Sequence, residues 1–339
     1  MWHSDFKFQG SHPVSVDQLI SSIKDQESVS FLKQWFDPAK DEISVQTSGS
    51  TGKAKQISLK KDHMIASAKA TGNYFNVLAS SRVLHVLPSR FIAGKMMWVR
   101  ALVLGWDLYL NDELDFYDFS AMVPLQVYKR QEKDLNRFQI ILIGGGVYDL
   151  NDLNRFNNLQ SKFYASYGMT ETITHIALRE IHPVKNEAFQ CLPGVKLGVD
   201  DRNCLIIEAE RISDGPIQTN DLVNLIDTTH FKWLGRWDNI INSGGVKLSP
   251  ETIENKLQDH IAGPFFVAGQ TDAALGERLI VIQEGSGKSH EYSDRERKEF
   301  MLKGLGKFEV PKAVYFLPKF MYTETKKIQR RETLDLIFS

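Results

Sequence analysis

The residues best suited to chemistry are the nine at 47–55, TSGSTGKAK. Glycines let backbone N–H groups come close to phosphate oxygens, hydroxyls donate further hydrogen bonds, and lysines add positive charge. The composition is therefore that of a cradle for a nucleoside triphosphate. It is not a Walker A loop, because Gly49 and Gly52 are too close together and Ala54 follows Lys53. Taken alone, the stretch is equally compatible with a Gly/Ser turn between two strands.

Two later glycine clusters and a basic tail could also meet a phosphorylated ligand. GGG at 144–146 follows an apolar run, and glycines there permit close approach to a flat ligand, although a plain turn before a helix is an alternative. SGGVK at 243–247 is the second glycine loop. From Lys303 to Arg331 there are eight Lys/Arg against two Glu. This excess suits phosphate groups, or it is simply a solvated basic face.

Apolar strands that alternate with helical patterns must position these residues. Helices are predicted over 16–37, from 60 through Tyr74, from Gly94 to Leu104 and near 119–130; strands are predicted at 43–47, 56–59, 82–88, 106–110 and 139–146. Such alternation predicts a parallel α/β sheet that is covered on both faces. Ligands are expected beyond the carboxyl ends of its strands.

The pattern changes after residue 163. From Phe163 to Leu234 short strands and polar turns dominate, which predicts a β-subdomain that includes a hairpin around the turn at 200–203. Ser249 and Pro250 are typical of the cap and first turn of a helix, and strands and helices alternate from there to the end. We predict two domains, 1–238 and 239–339, the second a small α+β domain.

Composition excludes some classes of function. The 339 residues are 42% apolar with a net charge of -1, so the whole molecule offers no electrostatic reason to bind nucleic acid or an anionic membrane. The only cysteines, Cys191 and Cys204, lack metal-ligand and redox spacing and are interpreted as buried thiols. No apolar signal core and no run of about eighteen apolar residues occurs. We expect a cytoplasmic protein without a membrane span.

Four segments, in order along the chain, resemble the signature motifs of the adenylate-forming acyl-CoA synthetase superfamily: TSGSTGKAK (47–55), YASYGMTET (164–172), GRWDNIINSGGVKLSPETIE (235–254) and TETKKIQR (323–330). The resemblance covers about residues 43 to 331. It implies a large N-terminal domain, with a parallel α/β sheet and a β-subdomain, and a small mobile α+β C-terminal domain. It also implies a two-step ligase. A carboxylate first reacts with ATP to give an acyl adenylate and pyrophosphate, and the thiol of coenzyme A then displaces AMP.

The resemblance also implies site residues. Those that would hold the β- and γ-phosphates of ATP are Thr47, Ser48, Gly49, Ser50, Thr51, Gly52 and Lys55. Those that would hold the rest of the nucleotide are Gly144, Gly145, Gly146 and Tyr167 around adenine, Thr170 at the α-phosphate, and Asp221 and Arg236 at the ribose. Glu171 would hold Mg²⁺, because that cation prefers oxygen ligands. Without the resemblance, each would be interpreted as an ordinary core or surface residue.

The remaining implied residues belong to the moving part. Lys327 would be the catalytic lysine of adenylation, and Asp238 would be the hinge about which the small domain reorients. Reorientation would then bring Gly244, Gly245 and Lys247 beside the pantetheine of coenzyme A. Three positions depart from the family pattern without removing a charged or catalytic group: Ala54, Asn220 and Lys326.

The length before the phosphate loop also departs from the family. Only 46 residues precede it here, against well over a hundred in most members. We therefore expect part of the N-terminal α/β subdomain to be missing. The remaining sheet edge would need protection by the leading helices or by a second copy in a homodimer.

Two further stretches, LPSRFIAGKMMWVRALVLG and CLPGVKLGVDD, resemble the o-succinylbenzoate-CoA ligase subgroup of menaquinone biosynthesis. The expected acyl-pocket residues are Arg90, Phe91, Ala93, Gly94, Lys95, Gly144, Ser166, Thr174 and His175. That acid carries a second carboxylate and a keto group, so its pocket needs a cation or hydroxyl donors. Lys95 on a solvent-facing side and a structural His175 are the alternatives.

We predict o-succinylbenzoate as the acid. The rival functions are another aryl- or acyl-CoA ligase, an adenylation enzyme that passes its adenylate to a carrier-protein thiol, and a non-catalytic nucleotide-binding homologue. The last is disfavoured because Glu171, Asp221, Arg236 and Lys327 are all present.

Overall fold

The computed structural model describes residues 2–46, 55–146, 148, 150–323 and 327–338. The predicted phosphate-loop residues Thr47 to Gly52 lie outside this set. The chain divides into two compact units. The first unit comprises Met1–Leu197, Ile207–Ile217 and Asp227–Phe231, and the second comprises Gly198–Ile206, Gln218–Ile226 and Lys232–Ser339. The domain boundary after Asp238 stays a prediction.

The described part of the first unit begins with short N-terminal elements and continues as an α/β alternation. Its elements up to residue 191 are β1 (Lys7–Phe8), α1 (Val16–Ser21), α2 (Gln26–Phe36), β2 (Glu42–Gln46), β3 (Gln56–Lys60), α3 (Lys61–Phe75), β4 (Arg82–His85), α4 (Ile92–Leu104), β5 (Asp107–Tyr109), β6 (Tyr117–Met122), α5 (Pro124–Tyr128), α6 (Glu132–Leu135), β7 (Phe138–Ile143), β8 (Lys162–Gly168), β9 (His175–His182) and β10 (Phe189–Cys191).

Four strands follow that are divided between the units: β11 (Lys196–Val199), β12 (Cys204–Glu208), β13 (Ile217–Leu225) and β14 (His230–Arg236). The other elements of the second unit are β15 (Ile241–Ser243), β16 (Val246–Leu248), α7 (Pro250–Leu257), β17 (Phe265–Asp272), β18 (Gly276–Glu284), β19 (His290–Glu291), α8 (Asp294–Leu302), β20 (Ala313–Leu317) and α9 (Arg330–Phe338).

The first unit is built on a parallel sheet in the order β1-β5-β4-β6-β7-β8. β9 pairs with β8 in the antiparallel sense and β10 does so with β9. β7 is buried at every position except Gln139, which is the pattern of a strand covered on both faces. β2 and β3 form a separate antiparallel hairpin. The carboxyl ends of β4, β6, β7 and β8 therefore meet at one edge of the sheet, where ligands are expected.

The predicted helix near 119–130 is wrong in its first half. Tyr117–Met122 is instead the strand β6, paired with both β4 and β7, and α5 begins only at Pro124. The reason is that a central parallel strand is apolar on both faces. A short buried run of this kind has no alternation and cannot be distinguished from a buried helix by periodicity.

The second unit has its own sheet in the order β16-β15-β18-β20-β19, with β17 also paired to β18. One face packs against α7 through Ile253 and Leu257, and the other packs against Leu334 and Ile337 of α9. Ser249 caps α7 as predicted, since its hydroxyl accepts a hydrogen bond from Thr252 N.

Two features bear on the compositional predictions. Cys191 and Cys204 are both free and buried, which confirms that they are interior thiols. Over the residues that the structure describes, no helix combines the length and the apolar character needed to cross a membrane.

Candidate functional site

Glycine at 144–146 follows β7, at the sheet edge where ligands are expected. A side chain at Gly144 would place its Cβ only 2.8 Å from Ser166 Oγ, and Gly145 has a positive φ of 79°. Ser166, on the neighbouring strand β8, donates to Ile143 O at 2.9 Å. Because these glycines have no side chains, the backbone can lie close to the end of β8. This leaves room for a flat ligand against the backbone.

Tyr167, Thr170 and Glu171 lie at the carboxyl end of β8. The Tyr167 ring is half-buried and meets Phe231 edge-on at 5.0 Å, so an aromatic contact already fixes one side of it. Thr170 opens a turn of 3-10 helix, and Glu171 is exposed. Ile173, which ends this turn, has a φ of 65°. A β-branched residue rarely adopts that value, so the backbone is strained where it redirects the chain.

Beyond this strained turn lies a polar cluster around Arg100, which sequence reasoning missed. Arg100 belongs to α4 and is 2% exposed. Its Nε donates to Thr71 Oγ1 at 3.3 Å and its Nη2 donates to Thr174 Oγ1 at 3.2 Å. Ser67 Oγ lies 3.0 Å from the same Thr174 hydroxyl. Hydroxyl groups from α3 and from the turn before β9 thus surround one buried guanidinium.

His175 completes this cluster, with Nε2 3.3 Å from Thr71 Oγ1. Thr71 Oγ1 already donates to Ser67 O, so the proton between the two residues belongs to His175 Nε2. Burial, with the Arg100 charge as a second cause, lowers the pKa of His175 well below its ordinary value. Burial lowers the pKa of Arg100 to about 10. At neutral pH the cluster therefore carries one positive charge, on Arg100.

No carboxylate pairs with Arg100 among the residues that the structure describes. A buried unpaired charge is costly, so its natural partner is an anion from outside. A sequence signal was available, because Arg100 is a lone charge within MMWVRALVL, a stretch that reads as apolar on all sides of the helix.

The two expected acyl-pocket cations Arg90 and Lys95 lie in a different place. Lys95 is 8% exposed rather than solvent-facing, donates to Ser89 O at 2.6 Å, and lines a cavity of about 410 Å³ with Arg90 and Glu27. Arg90 Nη1 is 2.9 Å from Glu27 Oε1. Burial lowers the pKa of Lys95. Since Lys95 and Arg100 are five positions apart on α4, about 140° separates them around the helix.

The expected acyl-pocket residues thus fall into two groups on opposite sides of α4. Thr174 and His175 join Arg100, whereas Arg90 and Lys95 line the cavity beside β2 and β3. Gly94 has a packing role, because a Cβ there would lie 2.2 Å from Pro88 O. Phe91 precedes α4, and its ring lies 4.9 Å from Arg90 Cζ.

In the second unit, the structure brings together three of the residues implied for the ribose and the hinge. Asp221 is 8% exposed, and its Oδ1 accepts from Trp233 Nε1 at 3.3 Å and lies 3.7 Å from Arg236 Nη1. Arg236 Nη2 donates to Asp238 Oδ2 at 2.7 Å. Asn220 Nδ2, at the position that departs from the family glycine, donates to Asp238 Oδ1 at 3.1 Å.

Lys327 belongs to the same neighbourhood. Burial lowers its pKa first; the nearby Arg236 charge lowers it further, and the Asp221 carboxylate raises it. The backbone of this lysine pairs with Thr323, since Lys327 N donates to Thr323 Oγ1 at 3.0 Å and Thr323 N donates to Lys327 O at 2.9 Å. Sequence positions more than a hundred residues apart therefore meet around one lysine.

The residues expected on the coenzyme A side lie on the β15–β16 hairpin. Gly244 and Gly245 have positive φ values of 59° and 83°. Lys247 is exposed, with Nζ 4.7 Å from the ring of Trp237, and both line a cavity of about 450 Å³ in the second unit. Arg202 lies 5.7 Å from the same ring.

Magnesium fits the residues that the structure describes. Among them, no group of three or more His, Cys, Asp or Glu side chains could form a metal cage. Mg²⁺ in nucleotide sites is commonly held by one or two carboxylates, waters and the phosphates themselves, so the exposed carboxylate of Glu171 is a suitable donor. Lys55, at the end of the predicted phosphate loop, is exposed.

Comparisons with known proteins identify the family and the relatives of this chain. Residues 34–204 match a family model described as AMP-binding enzyme. A 2-succinylbenzoate-CoA ligase from Bacillus cytotoxicus is 24% identical over 351 residues, covering 90% of this chain and 72% of the relative. A protein of the same name from Bacillus anthracis is 24% identical and covers 98% of this chain and 77% of the relative.

Solved structures give the same fold. An acyl-CoA synthetase (AMP-forming)/AMP-acid ligase II-like protein from Dyadobacter fermentans has a TM-score of 0.59 and 32% identity, covering 94% of this chain and 97% of that one. The o-succinylbenzoate coenzyme A synthetase from Bacillus subtilis, solved with ATP and magnesium, has a TM-score of 0.73 and 18% identity, covering 86% and 69%. The predicted α/β fold of the adenylate-forming ligases is confirmed.

Proposed function

The chain belongs to the AMP-binding enzyme family and is an acid-thiol ligase of the acyl-CoA synthetase type; from this premise we propose that it joins o-succinylbenzoate to coenzyme A, with ATP as the activating substrate. The names of the relatives support the choice of acid. The site itself gives a second, independent support.

The Arg100 cluster carries the proposal. o-Succinylbenzoate has two carboxylates, of which one is activated and the other stays anionic. An anion next to Arg100 would pair a guanidinium that is 2% exposed and has no carboxylate partner in the described part of the chain. The hydroxyl of Thr174 would supply a further donor, since it lies 3.2 Å from that guanidinium. A monocarboxylic acid would leave Arg100 unpaired.

In the first half-reaction, an oxygen of the aryl or aliphatic carboxylate attacks the α-phosphorus of ATP. The bond from that phosphorus to the β-phosphate bridging oxygen breaks, and pyrophosphate leaves. Catalysis of this kind is mainly positioning and charge neutralisation. We assign the phosphates to residues 47–52 with Lys55, the adenine to Tyr167 and the glycines at 144–146, and the α-phosphate to Thr170.

Asp221, Arg236 and Lys327 would complete the adenylation site. Asp221 offers a buried carboxylate that can accept from ribose hydroxyls, and Arg236 lies beside it. The ammonium of Lys327 would neutralise charge that develops on the reacting phosphate oxygens. Mg²⁺, which Glu171 would hold, supplies charge neutralisation on the phosphates when bound.

In the second half-reaction, the thiolate of coenzyme A attacks the acyl carbon and AMP leaves. A lysine that neutralises phosphate charge is not needed for this step, so a reorientation about Asp238 that withdraws Lys327 suits the chemistry. Gly244, Gly245 and Lys247 are our assignment for the coenzyme A side of the site.

Steady-state turnover with ATP and coenzyme A tests the acid. We expect kcat/KM for o-succinylbenzoate to exceed that for benzoate and for medium-chain fatty acids. A preference of more than about tenfold for either of these acids would overturn the assignment. Such a preference means that the enzyme favours the other acid by about 1.4 kcal/mol or more. Pyrophosphate exchange without a coenzyme A thioester would instead indicate transfer of the adenylate to a carrier-protein thiol.

A further inference from the structure

Arg330 makes a bidentate side-chain contact near the carboxyl end of the chain. It opens α9, and its Nη1 and Nη2 donate to Oε1 and Oε2 of Glu254 at 2.7 Å each. Glu254 lies on α7 and also accepts from Val267 N at 2.7 Å. A bidentate pair of this kind fixes orientation as well as distance. It therefore ties the start of α9 to α7 and β17.

A second acidic residue connects this pair to the hinge segment. Glu251, 7% exposed, lies 3.8 Å from Arg330 Nη2, and its Oε1 also accepts a hydrogen bond from Asn239. Gly235 permits the approach, because a Cβ there would lie 2.4 Å from Glu251 Oε2. Ser249 Oγ donates to Leu234 O at 2.6 Å and holds the same segment.

Lys327 stands three residues before Arg330. The intervening Ile328 and Gln329 are held as well, since Ile328 packs in the core with Phe266 and Gln329 N donates to Met321 O at 2.9 Å. These contacts fix the backbone between Lys327 and Arg330, and the ion pair fixes the end at which α9 begins.

We propose that Arg330 is a positioning residue for Lys327: its bidentate contact with Glu254, linked to the hinge through Glu251 and Asn239, holds the Lys327 ammonium beside Asp221 and Arg236 for adenylation. The proposal rests on the function proposed above. In this proposal Arg330 acts through the placement of the Lys327 side chain and not by contact with the substrate.

Four variants separate positioning from general stability. Arg330→Met with Glu254→Gln removes both charges of the pair, so that no uncompensated charge is left buried. Arg331→Met is the matched control, because Arg331 is the neighbouring arginine on α9 and is exposed. Lys327→Ala, alone and combined with the Arg330→Met/Glu254→Gln pair, completes a double-mutant cycle.

Each variant is assayed for ATP-pyrophosphate exchange and, separately, for thioester formation from supplied acyl adenylate. We expect the Arg330→Met/Glu254→Gln protein to lose about 10²-fold in exchange, because a displacement of about 1 Å has that effect on catalysis. Thioester formation and the Arg331→Met control stay near wild type. In the Lys327→Ala background the pair of substitutions should add nothing. The proposal would be overturned if the paired substitutions lowered both half-reactions equally, or if they lowered exchange further in the Lys327→Ala background. It would also be overturned if Arg331→Met had a similar effect.

A measurement that does not depend on turnover distinguishes failure of the positioning proposal from failure of the proposed function. The pH dependence with which acetic anhydride modifies Lys327 reports the pKa of that amine. Release of the tail should expose Lys327 and raise this pKa towards 10.5 in the Arg330→Met/Glu254→Gln protein only. An unchanged profile would refute the positioning role, even if the wild-type protein proved inactive with every acid. Wild-type inactivity with a shifted profile would refute the function alone.

Discussion

Arg100 in the first unit is buried and Arg330 in the second is half-buried, and the two arginines differ in what surrounds them. Arg330 meets both oxygens of Glu254 at 2.7 Å, whereas the polar groups around Arg100 are hydroxyls and a neutral imidazole. A carboxylate that is part of the chain makes an arginine a structural tie. An arginine that is buried among hydroxyls keeps its charge available for an anion from outside. The contrast shows a structural ion pair at Arg330, and at Arg100 a charge that no carboxylate in the described part of the chain pairs with.

We propose that Arg330 positions Lys327, so the largest effect on adenylation should come from removing Lys327 itself. We expect Lys327→Ala to lower adenylation by about 10³-fold, the upper range for loss of one charge-stabilising group. Thioester formation from supplied acyl adenylate should largely survive, because that step does not need the ammonium. Equal losses in the two assays would contradict an alternating role for this lysine.

Replacing the two arginines should change the free energy of unfolding in different directions. Arg330→Met leaves the half-buried Glu254 carboxylate without its arginine and should destabilise the second unit by about 2 kcal/mol, between the values for exposed and for buried ion pairs. Arg100→Met replaces an unpaired buried charge by an apolar chain of similar length, so the first unit should keep or gain stability. Chemical unfolding of each variant, with the transitions followed separately, measures both. A loss of equal size at Arg100 would break the comparison.

Selectivity for the acid should then depend on Arg100 alone. Arg100→Met should lower kcat/KM for o-succinylbenzoate by about 10²-fold, since truncating one member of a buried charge pair costs roughly 2–5 kcal/mol. Benzoate lacks the second carboxylate, and its slow turnover should change little. Arg330→Met, by contrast, should lower adenylation of both acids by the same factor. Parallel losses for the two acids in the Arg100 variant would show that this residue does not read the second carboxylate.

The smallest expected effect concerns pH. His175 is neutral in the folded protein, because its pKa lies well below 6.5, whereas in the unfolded chain it protonates as the pH falls below 6.5. The unfolded state then binds more protons, so the stability due to this residue is lost as the pH drops below that value. Without the Arg100 charge the native pKa should rise somewhat, and Arg100→Met should lose less stability in acid than wild type. His175→Gln should abolish this difference; if it persists, another group is responsible.

The fold class could be predicted from the sequence, but the spatial grouping of the candidate site residues could not. The four motifs and the alternating strands indicated an adenylate-forming ligase, and the structure and the relatives agree. β6 was misread because a strand buried on both faces carries no period-2 signal. Arg90 and Lys95 were grouped with Thr174 and His175, since a linear motif does not show that α4 turns Lys95 and Arg100 to different sides.

Other parts of the site lie beyond sequence reasoning because they depend on distant pairings. Thr71 and Thr174 are 103 positions apart, and they become neighbours only when α3 packs near the turn before β9. Glu254 and Arg330 are 76 positions apart and pair only once α7 and α9 are placed on their sheet. Each residue taken singly is unremarkable in its local sequence. The predicted assignments at residues 47–52 stay predictions, since they lie outside the described residues.

The close contact at Gly94 sets the axial register of α4. With a Cβ placed 2.2 Å from Pro88 O, even an alanine would have to push the first turn away from the loop that follows β4. The contact thereby fixes the position of the helix along its axis, and Lys95 and Arg100 keep their different directions around it. A shift of α4 by one residue would rotate these side chains by about 100° and move both of them away from their present surroundings.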